Sequence, residues 1–308
     1  MKSSRNKTID FDLTEGEKYL KRAVYEKDTE KIPINSIVCG DAFKSLEKVE
    51  NACVDLLIVD PPYNLFKNYH GNSFKKTSEA EYALYTEKWI KAVKPKLKPT
   101  ASVYVCCDWK SSITIGRVLA DNFLLRNRIT WQREKGRGAA KNWKNGLEDV
   151  YFCSVGEDYS FNLSAVKQRK KVVAPYKENG VPKDWVETLG GRYRDTCPSN
   201  FWDDISVPYW SMAENTAHPT QKPEKLIAKI ILASSNAGDL VLDPFAGSGT
   251  TAVTAKKLGR NFIAVEQNPR YCAWAIKRLE SAITDNTIQG YFDGVFWERN
   301  SRPPSDKR

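Results

Sequence analysis

Histidine is scarce in this sequence, with two among 308 residues, and the seven cysteines include no Cys-x-x-Cys pair. Those shortages argue against a zinc site, and against metal ligation in general, because the usual soft and borderline ligands are missing. An odd number of scattered cysteines also argues against a disulfide framework, so the thiols read as buried side chains in a reducing cytoplasm. No run approaches the roughly 20 consecutive apolar residues that cross a bilayer, so no membrane partner is expected. Met1–Lys7 carries charge without an apolar run behind it, which is not the pattern of a secretory signal. No internal repeat is visible.

Acidic residues are in deficit. Forty-eight Lys and Arg face 38 Asp and Glu, for a net charge of +10 and a pI near 9.1. Such a balance suits a polyanionic partner, since each neutralised phosphate releases condensed counterions. The chain is 41% apolar with nine tryptophans, enough for a sizeable core in one large domain or one domain with an insertion.

Residues 1–33 are a polar N-terminal extension in which Thr14-Glu15-Gly16-Glu17 resembles a capping box. The short helix that follows carries Tyr19, Leu20, Ala23 and Val24 on one face, to dock on the main body or on a second subunit in a homodimer. From Ile34 the texture becomes α/β. Ile37–Cys39, Val54–Val59 and Ser102–Asp108 are β-branched apolar runs ending at or beside acids, and helical stretches such as Tyr82–Lys96 separate them. Arg128–Trp131 and Asp149–Cys153 are further strand candidates. Periodicity fails over 164–217, which reads as an irregular insert between an N-terminal half (34–163) and a C-terminal half (218–283). That second half alternates helix Glu224–Ser235, strand Leu240–Leu242, helix Thr250–Leu258, strand Phe262–Val265 and helix Arg270–Ile283. Residues 284–308 form a tail that frays from Pro303-Pro304.

Two motifs carry chemistry. The first is Leu240-Val241-Leu242-Asp243-Pro244-Phe245-Ala246-Gly247-Ser248-Gly249-Thr250-Thr251, a strand, a glycine turn and a helix start; Glu266 ends the next strand 17 residues after Gly249. Such a layout holds a nucleotide-like ligand over the strand ends, with the acid on ribose hydroxyls. The Gly-x-Gly-x-x-Ala spacing keeps a nicotinamide dehydrogenase in contention. Asp243 disfavours a pyrophosphate at that position, whereas a sulfonium cofactor with an ammonium group tolerates nearby carboxylates. The second motif, Asp60-Pro61-Pro62-Tyr63, follows a strand directly. An exocyclic amine such as adenine N6 is a poor nucleophile because its lone pair is conjugated into the ring. Asp60 and the Pro61 carbonyl are suited to accept its two N–H bonds and aim the lone pair at a methyl group. Pro62 stiffens the loop and Tyr63 offers a face for stacking the base.

With His218-Pro219-Thr220-Gln221-Lys222-Pro223, these motifs resemble the amino-methylating DNA methyltransferases of restriction-modification type. The catalytic motif precedes the cofactor glycines, as in the circularly permuted β group of that family. The resemblance covers roughly residues 34–283. It implies a Rossmann-like S-adenosylmethionine-dependent methyltransferase fold, a mostly parallel sheet of about seven strands with helices on both faces, and makes 164–217 the target-recognition insert. It further implies that Asp60–Tyr63 are catalytic and that Phe245, Gly247, Gly249 and Glu266 hold S-adenosylmethionine, with Asp41 near the adenine. Asp243 is expected at the methionine end beside Thr220 and Lys222, with His218 structural rather than a general base. Asp at the head of the tetrapeptide inclines the target to adenine N6. Cytosine N4 and an RNA adenine stay as alternatives.

Double-stranded DNA is the implied partner, and a cognate restriction endonuclease the implied genetic one. Basic residues interleaved with aromatics suit phosphate contact and base stacking. Arg133, Lys135, Arg137, Lys141 and Lys144 surround Trp143, and Lys167, Arg169, Lys170, Lys171 and Lys177 open the insert. The stretch 66–77, with Lys67, Lys75 and Lys76, is positioned to close over DNA.

Overall fold

The computed structural model describes residues 4–65, 67–69, 72–74, 76–133, 140–173, 176–188 and 191–299, the side chains of 67–69, 72–74 and 188 excepted. The chain begins with α1 (Leu13–Leu20), β1 (Val24–Tyr25), β2 (Ser36–Cys39), α2 (Ala42–Glu47) and β3 (Val54–Val59). A hairpin of β4 (Lys67–Tyr69) and β5 (Asn72–Phe74) leads to α3 (Glu79–Val93), β6 (Leu97–Cys107), α4 (Trp109–Asn122), β7 (Leu124–Gln132) and β8 (Leu147–Ser154). The insert supplies β9 (Gln168–Lys171), β10 (Lys177–Glu178), β11 (Val181–Pro182), β12 (Val186–Thr188), β13 (Gly191–Thr196) and β14 (Phe201–Trp202). Then come α5 (Glu224–Ser234), β15 (Leu240–Asp243), α6 (Thr250–Lys257), β16 (Asn261–Glu266), α7 (Pro269–Thr284), β17 (Tyr291–Phe292) and β18 (Val295–Trp297).

Among the described residues nine strands form the main sheet, in the order β1-β2-β16-β15-β3-β6-β8-β7-β14. All neighbours are parallel except at β8, which runs antiparallel to both β6 and β7. The outermost pair, β1 and β14, have two residues each, so seven longer strands make up the body. Helices cover both faces, which is why β3, β6 and β15 read as continuous apolar runs: their side chains are buried on each side. The one acid inside β3, Asp55, is held by Lys98 Nζ at 2.6 Å and by the Leu240 amide at 2.9 Å.

Local chemistry sets the helix ends. Ser78 and Glu81 close a reciprocal capping box at α3, and Asn268 caps α7 ahead of Pro269. At α1 the capping residue is Asp12, which accepts from the Glu15 amide at 2.8 Å, so the helix starts two residues earlier than the Thr14 pattern suggests. Its apolar face is covered by the chain itself: Phe11 stacks on Tyr19 and meets Trp274 of α7 edge-on.

The insert is more regular than its composition suggests. Short strands build a second sheet, β12-β13-β9-β18-β17, in which two strands come from beyond residue 284. β18 runs parallel to β9, pairing Phe296 with Gln168, so the region read as a tail is part of the insert's framework up to Trp297. Pro303-Pro304 lies outside the described residues. Buried ion pairs bind this unit to the main body. Asp204 takes Lys225 at 2.7 Å and Lys229 at 2.6 Å, both from α5.

Candidate active site

Four parallel neighbours, β2, β16, β15 and β3, all end on the same edge of the sheet. Asp41 follows β2, Glu266 ends β16, Asp243 ends β15 and Asp60 follows β3. Strand ends at a change of winding direction are where α/β sheets leave a crevice. Here a cavity of about 310 Å³ opens there, lined among others by Asp41, Phe43, Asp60, Tyr85, Phe245 and Glu266. Asp60 and Glu266 are 206 positions apart in the chain, yet only one strand separates theirs.

The Asp60–Tyr63 turn is held from three sides. Tyr63 Oη donates to Asp60 Oδ1 at 2.8 Å, Tyr82 Oη donates to the Pro62 carbonyl at 3.0 Å, and the Asn64 amide donates to Ser111 Oγ at 3.2 Å. Burial, reinforced by Asp60 and Glu148, raises the Tyr63 phenol well above its usual range, so it stays a proton donor to Asp60. The phenol thus has a task at Asp60 apart from the stacking expected of its ring. Lys222 Nζ donates to Asp60 Oδ2 at 2.7 Å and to Tyr63 Oη at 3.1 Å, and pairs with Glu148 Oε2 at 3.4 Å. Burial works against the lysine's charge, but Asp60 and Glu148 outweigh it and hold the ammonium well above the ordinary lysine range.

On the cofactor side Glu266 accepts from the Gly247 amide at 2.9 Å and the Asn268 amide at 2.8 Å. Burial nevertheless pushes its carboxyl up to about 7. Asp243 sits deeper, in a small space shared with Asp60, Lys222 and Thr251, and accepts from the Phe245 amide at 3.0 Å. Burial raises it to about 7 as well. Asp41 lines the cavity while capping α2 through the Phe43 and Lys44 amides. Thr220 and His218 lie on the cavity wall, and His218 meets Tyr271 edge-on at 4.5 Å, a packing role.

The two glycines differ in purpose. Gly247 has φ +52°, and a Cβ there would come 3.0 Å from His218 Nε2. Gly249 has φ +76°, and a Cβ would reach 2.5 Å from Ala275 Cβ, so close packing of α6 on α7 by itself requires glycine there.

Carboxylates for hydroxyls and an ammonium group, aromatic rings and backbone amides fit S-adenosylmethionine, whose adenine, ribose and methionine parts need each of these. The acids that crowd these strand ends, Asp41, Asp60, Asp243 and Glu266, oppose a pyrophosphate, which argues against the dehydrogenase reading. Among the described residues no group of three His, Cys, Asp or Glu could hold a metal ion, and no helix is long and apolar enough to cross a membrane.

The predicted basic surface divides. Arg133 is paired with Glu148, and Arg169 makes a two-pronged bond to Asp195 at 2.7 and 2.8 Å while lying over Trp297. Both guanidinium groups are committed within the chain. Lys141, Lys144 and Lys171 are exposed and Lys170 half-buried, and Trp143 between the first two is 93% exposed. Lys135 and Arg137 lie outside the described residues, as does the side chain of Lys67. Glu148 was not anticipated; an acid in the alternation Glu148, Val150, Phe152 was the available signal, and the expected strand began two residues too late.

A parallel-dominated α/β sheet with this crevice defines the class: an S-adenosylmethionine-dependent methyltransferase. The profile of the N6/N4 family, described as DNA methylase, matches residues 54–277. The type II methyltransferase M.HpaI of Haemophilus parainfluenzae is 32% identical over 273 residues, covering 88% of this chain and 80% of that protein. The DNA adenine methyltransferase YhdJ of Escherichia coli K12 is 34% identical over 254 residues, 80% of this chain and 83% of its own length. The crystal structure of the M1.HpyAVI–SAM complex aligns with 79% of this chain and 98% of its own, at 26% identity and a TM-score of 0.52. The chain belongs to the N6/N4 DNA methylase family and is an S-adenosylmethionine-dependent DNA methyltransferase.

Proposed function

We propose that the chain transfers methyl from S-adenosylmethionine to N6 of an adenine flipped out of duplex DNA, at a specific site, in the cytoplasm, with a restriction endonuclease of the same specificity as genetic partner. The observation that carries this reading is the Asp60–Tyr63 turn beside a cavity whose far wall is Glu266. The adenine specificity named for YhdJ, together with Asp at the head of the tetrapeptide, favours N6 over cytosine N4.

The protein's own share of the chemistry is positional. Flipping the base costs a few kcal/mol and delivers its amine to the turn. Asp60 and the Pro61 carbonyl accept the amine's N–H groups and orient its lone pair. Asp60 also stabilises the positive charge that builds on nitrogen as bonding to carbon begins. Glu266, Asp41 and Phe245 hold the cofactor, which supplies an activated methyl group on sulfonium. Lys141, Lys144 and Lys170 contact phosphates, and the β9–β13 region reads base edges. Tritium transfer onto unmethylated DNA followed by methylation-aware sequencing tests this. N6-methyladenine in one sequence context is the expected product; N4-methylcytosine alone would overturn the base assignment.

A further inference from the structure

The catalytic carboxylate is already occupied by the chain's own groups. Asp60 Oδ1 receives the Tyr63 hydroxyl and Oδ2 receives Lys222 Nζ at 2.7 Å. A fixed ammonium at that distance opposes the positive charge that must develop on the target amine, and competes with the amine's N–H for the same oxygen. A second carboxylate stands beside it. Glu148 lies on β8 with its Oε1 held by Arg133, so that Oε2 is aimed inward; this oxygen is buried, accepts no hydrogen bond, and is 3.4 Å from Lys222 Nζ. A buried carboxylate oxygen already at ion-pair distance from the ammonium is a ready second acceptor for it.

We propose that Lys222 is a movable gate on Asp60: when the target amine arrives, the ammonium passes from Asp60 Oδ2 to Glu148 Oε2, exposing the acceptor. Lys222 and Glu148 are thus positioning residues for methyl transfer. The exchange is feasible because the lysine stays paired throughout. A cation leaving Asp60 with no alternative acceptor would be stranded in a desolvated site. The geometry favours a short move: the flexible four-carbon stem of Lys222 needs to carry Nζ only from one carboxylate toward another already within ion-pair distance. Arg133 fixes the receiving group, which explains why a guanidinium at the edge of the basic β7–β8 loop is tied inward rather than presented to DNA.

This inference rests on the methyltransferase activity proposed above. The test measures single-turnover transfer from tritiated S-adenosylmethionine to unmethylated genomic DNA by the full chain. Glu148→Gln removes the receiving charge, so Lys222 stays on Asp60. The rate falls about tenfold or more, while dissociation constants for cofactor and DNA stay within about threefold. Adding Lys222→Met to that variant removes the gate itself, and the double variant is faster than Glu148→Gln alone. A structural role for the pair predicts the reverse, with the second substitution worsening the first. A double variant that melts cooperatively and is no faster than the single one overturns the proposal. So does a DNA complex of the unaltered chain in which Lys222 still sits on Asp60 and Glu148 Oε2 still lacks a donor, a result that depends on no variant folding. Unaltered chain that methylates no DNA would overturn the activity itself, and is read before any variant.

Discussion

At the scale of single residues the site combines groups with opposite needs. Asp60 must stay an acceptor, and Tyr63 and Lys222 are both kept protonated beside it. Asp60→Ala is expected to bind S-adenosylmethionine measurably yet transfer methyl about a hundredfold more slowly or worse, because the charge developing on the amine loses its counterpart. Single-turnover rates with calorimetric cofactor binding check this. Glu266 is the complementary case. Ribose hydroxyls donate to a carboxylate, so cofactor binding prefers its ionised form, and its carboxyl titrates at about 7 in the free protein. Affinity therefore weakens as pH falls from 8 to 6. Glu266→Ala weakens binding by roughly 1–3 kcal/mol at pH 8 and flattens that pH dependence. A dissociation constant that does not move between those pH values in the unaltered chain would contradict the role given to this acid.

At the scale of elements, two loops and a clamp arrange the site. The turn after β15 reaches its shape because Arg278 of α7 donates to the Ser248 carbonyl at 2.9 Å and to Thr250 Oγ1 at 3.0 Å, and also to Glu224 at 3.0 Å. Lys257 of α6 takes the other oxygen of Glu224 at 2.7 Å. One buried acid thus joins α5, α6 and α7 behind the glycine turn. The described part of the β7–β8 connection, residues 140–146, is built the other way, with Lys141, Trp143 and Lys144 facing solvent. If Lys141 and Lys144 touch phosphates, replacing both with Ala lowers affinity alike for cognate and scrambled duplexes. It also reduces the slope of log affinity against log salt by about 0.9 per contact, roughly two in all. Titrations at several salt concentrations measure it, and an unchanged slope on both duplexes takes these lysines out of the interface.

At the scale of the whole molecule, stability and ligand binding are linked through the same acids. Asp243 and Glu266 keep their protons to about 7 when folded, whereas unfolded carboxyls release them near 4. Between those values the folded chain binds more protons than the unfolded one, so its stability falls as pH rises from about 4 to about 7. The ligand-free protein should melt at a higher temperature at pH 5.5 than at pH 8. If S-adenosylmethionine engages Glu266 in its ionised form, it should raise the melting temperature more at pH 8 than at pH 6. Differential scanning fluorimetry across pH, with and without cofactor, checks both signs.

Much of this was open to the sequence alone, for local reasons. Strands buried on both faces must be apolar throughout, so β3, β6, β15 and β16 were visible as runs. A Gly-Ser-Gly turn and an Asp-Pro-Pro-Tyr turn are contiguous peptides whose geometry is written in four or five residues. What depended on contacts between distant residues was hidden. Phe296 pairs with Gln168 across 128 positions, and strands of three or four residues are too short to carry a periodicity of their own. The commitment of Arg133 to Glu148 and of Arg169 to Asp195 was equally unreadable, since a basic residue looks the same in sequence whether it faces a phosphate or a carboxylate. Asp60, Lys222 and Glu148 meet only because three separate elements end at one crevice. The identities of the reacting groups are a property of the sequence; which charge neutralises which is decided by the fold, because burial forces each one to find a partner wherever the packing provides it.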